Sequence, residues 1–101
     1  MIRPIFVDID GTLTDKASHG GNPISERVEY IRSLIASGQP VVIWSGTGTD
    51  YARDFATKHG LEGALAIIGK PLLCVDDCAT ILPTKAPIVV VAPEKFFKEK
   101  Q

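Results

Sequence analysis

The chain has 101 residues, of which 45% are hydrophobic and 23% charged. This is the composition of one globular domain, spanning 1–101, with enough apolar surface for a single modest core; it excludes wholesale disorder. Eleven Lys and Arg stand against twelve Asp and Glu, a formal net charge of −1. No global basic footprint therefore marks a nucleic-acid binder, although a local patch stays open. No apolar run approaches the ~20 residues that span a membrane. The opening Met-Ile-Arg-Pro-Ile-Phe-Val-Asp lacks the apolar core of a secretion signal. Cys74 and Cys78 are too few for a disulfide framework, and the pair has no further Cys or nearby His to make a metal site. The expectation is a cytoplasmic protein with reduced thiols and no membrane association.

Ile5-Phe6-Val7 is a short apolar run that stops at Asp8 and reads as a buried strand. Residues 11–23 hold three Gly, a Pro and an Asn and read as loop. Ile24, Val28, Ile31, Leu34 and Ile35 recur at helical spacing, with Asn22 as candidate cap, Pro23 at the first helical position and Gly38 beyond the end. Val41-Val42-Ile43-Trp44 is a second strand, ending at Ser45, with Trp44 expected in the core. Thr49 or Asp50 can cap a second helix whose inner face is Ala52, Phe55, Ala56 and His59. Leu65 to Ile68 reads as a third strand, Leu72 to Val75 as a fourth stopping at Asp76-Asp77, and Ile88 to Val91 as a fifth. The charged 94–101 segment with Phe96-Phe97 reads as a short terminal helix or a frayed tail. Continuous apolar strands are those buried on both faces, which parallel sheets supply. The predicted fold class is α/β: a doubly wound, mostly parallel sheet of about five strands with flanking helices.

Three strands end in polar residues: Asp8, Ser45 and Asp76. In open parallel sheets the ligand crevice lies outside the strands' carboxyl ends, so distant residues can converge there. Ile5-Phe6-Val7-Asp8-Ile9-Asp10-Gly11-Thr12-Leu13-Thr14-Asp15 resembles the first motif of the haloacid-dehalogenase-like (HAD) hydrolase superfamily. Val41 to Ser45 is similar to its second motif, Gly69-Lys70-Pro71 to its third and Val75-Asp76-Asp77 to its fourth, in the family's order over residues 5–78.

The residues agree with the chemistry that this resemblance implies. A carboxylate can attack phosphorus and form an aspartyl-phosphate, dividing one hard hydrolysis into two easier steps. Asp8, at the strand end, is the expected nucleophile. Asp10 can face the same phosphate only if the chain turns after the strand, which Gly11 favours. Asp10 then protonates the leaving oxygen and later takes a proton from water. An anion attacking a dianion at ~3.5 Å is repelled by on the order of 9 kcal/mol at an effective dielectric near 20. A Mg²⁺ ion held by Asp8, the Asp10 carbonyl and Asp76 would cancel this, with Asp77 a direct or a more distant partner. Lys70 adds positive charge. Ser45, with the backbone N–H groups of Gly46 and Thr47, can hold phosphoryl oxygens, and Thr47 is a candidate for the role of Ser45.

Many relatives carry a cap domain. Here the spacings from Asp10 to the first helix and from Ser45 to Lys70 leave no room for one, and Thr47 stands where many relatives have Arg. The expectation is a compact capless member with an open site. That site would admit a small phosphorylated metabolite or a macromolecular phosphate such as a nucleic-acid end or phosphoprotein, or be covered by a second copy in a homo-oligomer. A non-catalytic phosphate- or metal-binding module is the reading from a different class; a phosphoryl-transferring mutase would need a cap.

Overall fold

A computed structural model describes residues 2–75 and 90–98. The chain forms two compact units, Met1–Lys70 and Pro71–Gln101. The first is a three-stranded parallel sheet with two helices: β1 (Ile5–Asp8), α1 (Ser25–Ala36), β2 (Val41–Ser45), α2 (Thr49–Lys58) and β3 (Ala66–Gly69). The strands lie in the order β1-β2-β3. Ile5 is in register with Val41 and Asp8 with Trp44; Trp44 is in register with Ile68 and Ser45 with Gly69. All three strands therefore finish at one edge of the sheet, which brings residues 8, 45 and 69 to the same level.

Each crossover moves one strand in the same direction. Because such connections are right-handed, α1 and α2 pack on the same face. Side-chain alternation agrees. Val7, Val41 and Ile43 are 0–5% exposed, whereas Phe6 and Ile68, on the other face, are 48% and 39% exposed. Val28 and Ile31 of α1 and Ala52, Phe55 and Ala56 of α2 complete the core with Ile9, Leu13 and Leu61. Each large side chain fully buried this way contributes about 1.5–3 kcal/mol relative to exposure. Trp44 is half-buried rather than core: its ring takes the edge of Phe6 at 4.8 Å.

The chain leaves β1 through a tight turn. The Ile9 carbonyl accepts the N–H groups of Thr12, Leu13 and Thr14. Gly11 sits at φ +78°, and a Cβ there would lie 3.1 Å from the Ala17 Cα; both the backbone angle and the close approach require glycine. Residues 13–15 and 22–24 then form a short antiparallel ladder: Asp15 N–H donates to the Asn22 carbonyl and Ile24 N–H to the Leu13 carbonyl. This ladder corrects the predicted start of α1. Asn22 and Pro23 belong to it, so Ile24 is the N-cap and the helix begins at Ser25. At α2 the cap is Gly48, at φ +128°. The Thr49 hydroxyl instead accepts the Gly69 N–H at 2.9 Å, tying the helix start to the end of β3.

The second unit contains α3 (Pro93–Phe97), a single turn with proline in its first positions and the Phe96 and Phe97 rings edge to face at 5.0 Å. The predicted fourth strand is not formed. Leu72, Leu73 and Val75 are 102%, 73% and 92% exposed, and residues 72–75 join no ladder. An apolar run becomes a strand only where a neighbouring edge accepts its backbone bonds, and Pro71 opens this one without an N–H. Of the predicted fifth strand, Val90 and Val91 lie in no strand, and residues 88 and 89 fall outside the described residues, as do Asp76, Asp77 and Cys78. The described sheet thus has three strands, with helices on one face. Among the described residues no helix is long and apolar enough to cross a membrane.

Candidate active site

Asp8 is the last residue of β1 and is partly buried, which fixes its backbone while leaving its carboxylate accessible. Lys70 follows β3, and its backbone N–H donates to the Ser45 carbonyl at 2.9 Å. From that anchor its ammonium crosses the end of β2, lies 5.9 Å from the centre of the Trp44 ring, and reaches Asp8 Oδ1 at 3.3 Å. Both partners keep contact with solvent, so the pair is loose and its charges remain available to a ligand. The Thr12 hydroxyl approaches Asp8 Oδ2 at 3.5 Å, a long contact at the limit of a hydrogen bond.

Asp10 lies in the turn after β1. Its two carboxylate oxygens are each held by a hydroxyl: the Tyr51 phenol donates to Oδ1 at 2.6 Å and the Thr47 hydroxyl donates to Oδ2 at 3.0 Å. Burial, then the hydrogen bond to Asp10 and the negative charge of that carboxylate, push the Tyr51 phenol up to about 12. It therefore stays a protonated donor at neutral pH. The neighbouring Gly20 backbone works against this rise, and the His19 ring meets the Tyr51 ring edge on at 5.6 Å.

Ser45 is fully buried, and its Oγ accepts the Thr47 N–H at 3.1 Å. Gly46 and Thr47 are exposed in the turn between β2 and α2. Beneath the site, Arg27 of α1 is 8% exposed, and its Nη1 donates to the Thr12 carbonyl at 2.9 Å. A charged hydrogen bond in so buried a place fixes the turn that carries Asp10.

The sequence-predicted residues Asp8, Asp10, Ser45, Gly46, Thr47 and Lys70 thus gather at one end of the sheet. The remaining two, Asp76 and Asp77, lie outside the described residues. Among the described residues no three His, Cys, Asp or Glu side chains cluster as metal ligands. Tyr51 and Arg27 were not singled out from sequence. A signal for Tyr51 exists: it precedes Phe55 by four residues, which places it on the inner face of α2 at the end entered from Ser45-Gly46-Thr47. Arg27 carries no such signal, because a surface helix commonly has an Arg among its apolar positions.

The arrangement offers a partly exposed carboxylate at a strand end, a second carboxylate held by neutral hydroxyls, a partly exposed ammonium beside the first and an exposed turn at Gly46 and Thr47. In sequence the chain is similar to a protein from Methanopyrus kandleri named phosphoglycolate phosphatase: the two are 37% identical over 79 residues, covering 76% of this chain and 32% of the relative. The chain spans about a third of the length of that curated relative. No protein-family model matches the chain, and no solved structure matches it.

Proposed function

We propose that the chain carries the catalytic half-site of a Mg²⁺-dependent phosphomonoester hydrolase of the HAD type. The observation that carries this reading is the convergence of Asp8, Asp10 and Lys70 at the carboxyl ends of the strands, with Lys70 Nζ 3.3 Å from Asp8 Oδ1. In the first step an Asp8 oxygen attacks phosphorus, the bond from phosphorus to the ester oxygen breaks, and Asp10 gives its proton to the departing alkoxide. In the second step water attacks the aspartyl-phosphate, Asp10 takes the water's proton, and Asp8 is released with inorganic phosphate. Lys70 offsets the negative charge on the phosphoryl oxygens, and the turn of Ser45, Gly46 and Thr47 orients them.

The donors present suit a hard cation. Asp8 and the Asp10 carbonyl are oxygen ligands of the kind that Mg²⁺ takes, and Asp76 and Asp77, outside the described residues, are the further carboxylates that the motif resemblance implies. When bound, such an ion lowers the repulsion between the attacking carboxylate and the phosphate dianion.

The name of the Methanopyrus kandleri relative suggests a small phosphorylated carboxylic acid as the substrate class. The test is release of inorganic phosphate from 2-phosphoglycolate and from an aryl phosphate, with Mg²⁺ and with EDTA. Turnover that needs Mg²⁺ and is lost in Asp8→Asn supports the reading. Equal turnover in the parent and Asp8→Asn, or none in either, overturns it and favours a binding module.

A further inference from the structure

We propose that Tyr51 and Thr47 are positioning residues that set the aim of Asp10, and so determine how well the site handles esters with poor leaving groups. The inference rests on the hydrolase reading above and adds two residues to it. Each Asp10 oxygen has its own hydroxyl partner, at 2.6 Å from Tyr51 and 3.0 Å from Thr47. Two anchors on one carboxylate fix both its direction and the rotation of its plane, which one anchor cannot do. The anchors come from the turn after β2 and the first turn of α2, whereas Asp10 comes from the turn after β1. The aim of Asp10 is therefore locked to the β2 side of the site rather than to its own loop.

The chemistry of the partners matters as much as their number. An acid–base residue must exist both as carboxylate and as carboxylic acid during one turnover. A Lys or Arg partner only donates, and would favour the carboxylate throughout. A hydroxyl donates to the carboxylate and can turn to accept from the carboxylic acid. The pair of hydroxyls thus orients Asp10 with a neutral partner on each oxygen. Tyr51 also ties this arrangement to the loop after β1, through the His19 ring edge on at 5.6 Å.

The experiment compares the parent, Tyr51→Phe, Thr47→Val, Asp10→Asn and the double variant Asp10→Asn/Tyr51→Phe, at saturating Mg²⁺. The substrates are 2-phosphoglycolate, with a poor leaving group, and 4-nitrophenyl phosphate, with a good one. Tyr51→Phe is expected to lower kcat on 2-phosphoglycolate about 5–20-fold, with KM within about twofold, and to leave kcat on 4-nitrophenyl phosphate within about threefold. In the Asp10→Asn background it should cost nothing more. Thr47→Val should show the same leaving-group bias, which keeps the idea testable should Tyr51→Phe not fold. Equal losses on both esters, a change confined to KM, or full additivity with Asp10→Asn would each sink the proposal while the hydrolase reading stood. A parent without turnover, or an Asp8→Asn variant as active as the parent, would instead remove the hydrolase reading and this inference with it.

Discussion

Lys70 Nζ and Asp8 Oδ1 stand 3.3 Å apart although Asp8 ends β1 and Lys70 follows β3, strands that are not neighbours, since β2 lies between them. The lysine bridges the width of the sheet by passing over the exposed side of Trp44, whose ring lies 5.9 Å from its ammonium. The ion pair keeps a cation at the Asp8 carboxylate without locking it there.

Replacing Lys70 by Ala should therefore leave the fold intact and weaken the chemistry. We expect the melting temperature to fall by no more than about 4–8 °C, because an exposed pair of this kind contributes at most about 1 kcal/mol. We expect kcat on an aryl phosphate to fall by about 10²–10³, the usual cost of removing one donor at a developing charge. A loss of less than threefold would show that Lys70 is a bystander.

Asp8→Asn is nearly isosteric and should abolish turnover while preserving the far-ultraviolet spectrum. Mass spectrometry after a brief exposure to substrate should find a labile addition of one phosphoryl group on the parent and none on the variant. An addition that persists in the variant would place the nucleophile elsewhere.

Asp10→Asn should discriminate between substrates. Alkyl phosphates need a proton on the departing oxygen and should lose about 10²–10⁴ in kcat, whereas aryl phosphates should lose far less. Equal losses would count against an acid role.

Gly11→Ala tests the turn that delivers Asp10. A left-handed backbone costs an alanine about 1–2 kcal/mol, and the added Cβ would press on the Ala17 Cα at 3.1 Å. The variant should melt several degrees lower and lose activity on alkyl phosphates first, because the displaced residue is the one that carries the proton. A melting temperature equal to the parent's would mean that the turn relaxes freely.

The metal can be tested through stability alone. If Asp76 is a metal ligand together with Asp8, as the motif resemblance implies, the metal-free carboxylates repel, and metal-free Asp76→Asn should melt no lower than the metal-free parent. In Mg²⁺ at 10–100 times Kd the parent should gain roughly 1–3 kcal/mol and overtake the variant. Melts with EDTA and with Mg²⁺ check this, and a parent indifferent to Mg²⁺ would argue against the site.

Most of what positions the chemistry was legible before the fold. An apolar triplet ending in Asp8-Ile9-Asp10-Gly11 dictates a strand, an abrupt stop and a turn, because Gly11 is the residue that can take φ +78°. The sequence placed Lys70 at the site only through the motif resemblance of Gly69-Lys70-Pro71, and parallel strands that end together account for its meeting with Asp8. Legibility failed where partners decide the outcome. Leu72 to Val75 has the composition of a strand, but no described edge accepts its backbone bonds. Pro23 looked like a helix start, yet its position is set by Thr14 across the ladder. Tyr51 is one aromatic residue on an amphipathic helix until Asp10, forty-one positions away, arrives beside it.

The order of the strands also has a consequence for how the site comes into being on the ribosome. Asp8 is made near the beginning of the unit and Lys70 at the end, about sixty residues later. At a synthesis rate of roughly 5–20 residues per second, that interval is about 3–12 s. β2 is complete only after more than half of it has passed, so β1 first waits without a neighbouring strand and can then pair with β2 alone. The contact between Lys70 and Asp8 can form only once β3, the last of the three strands, has been made.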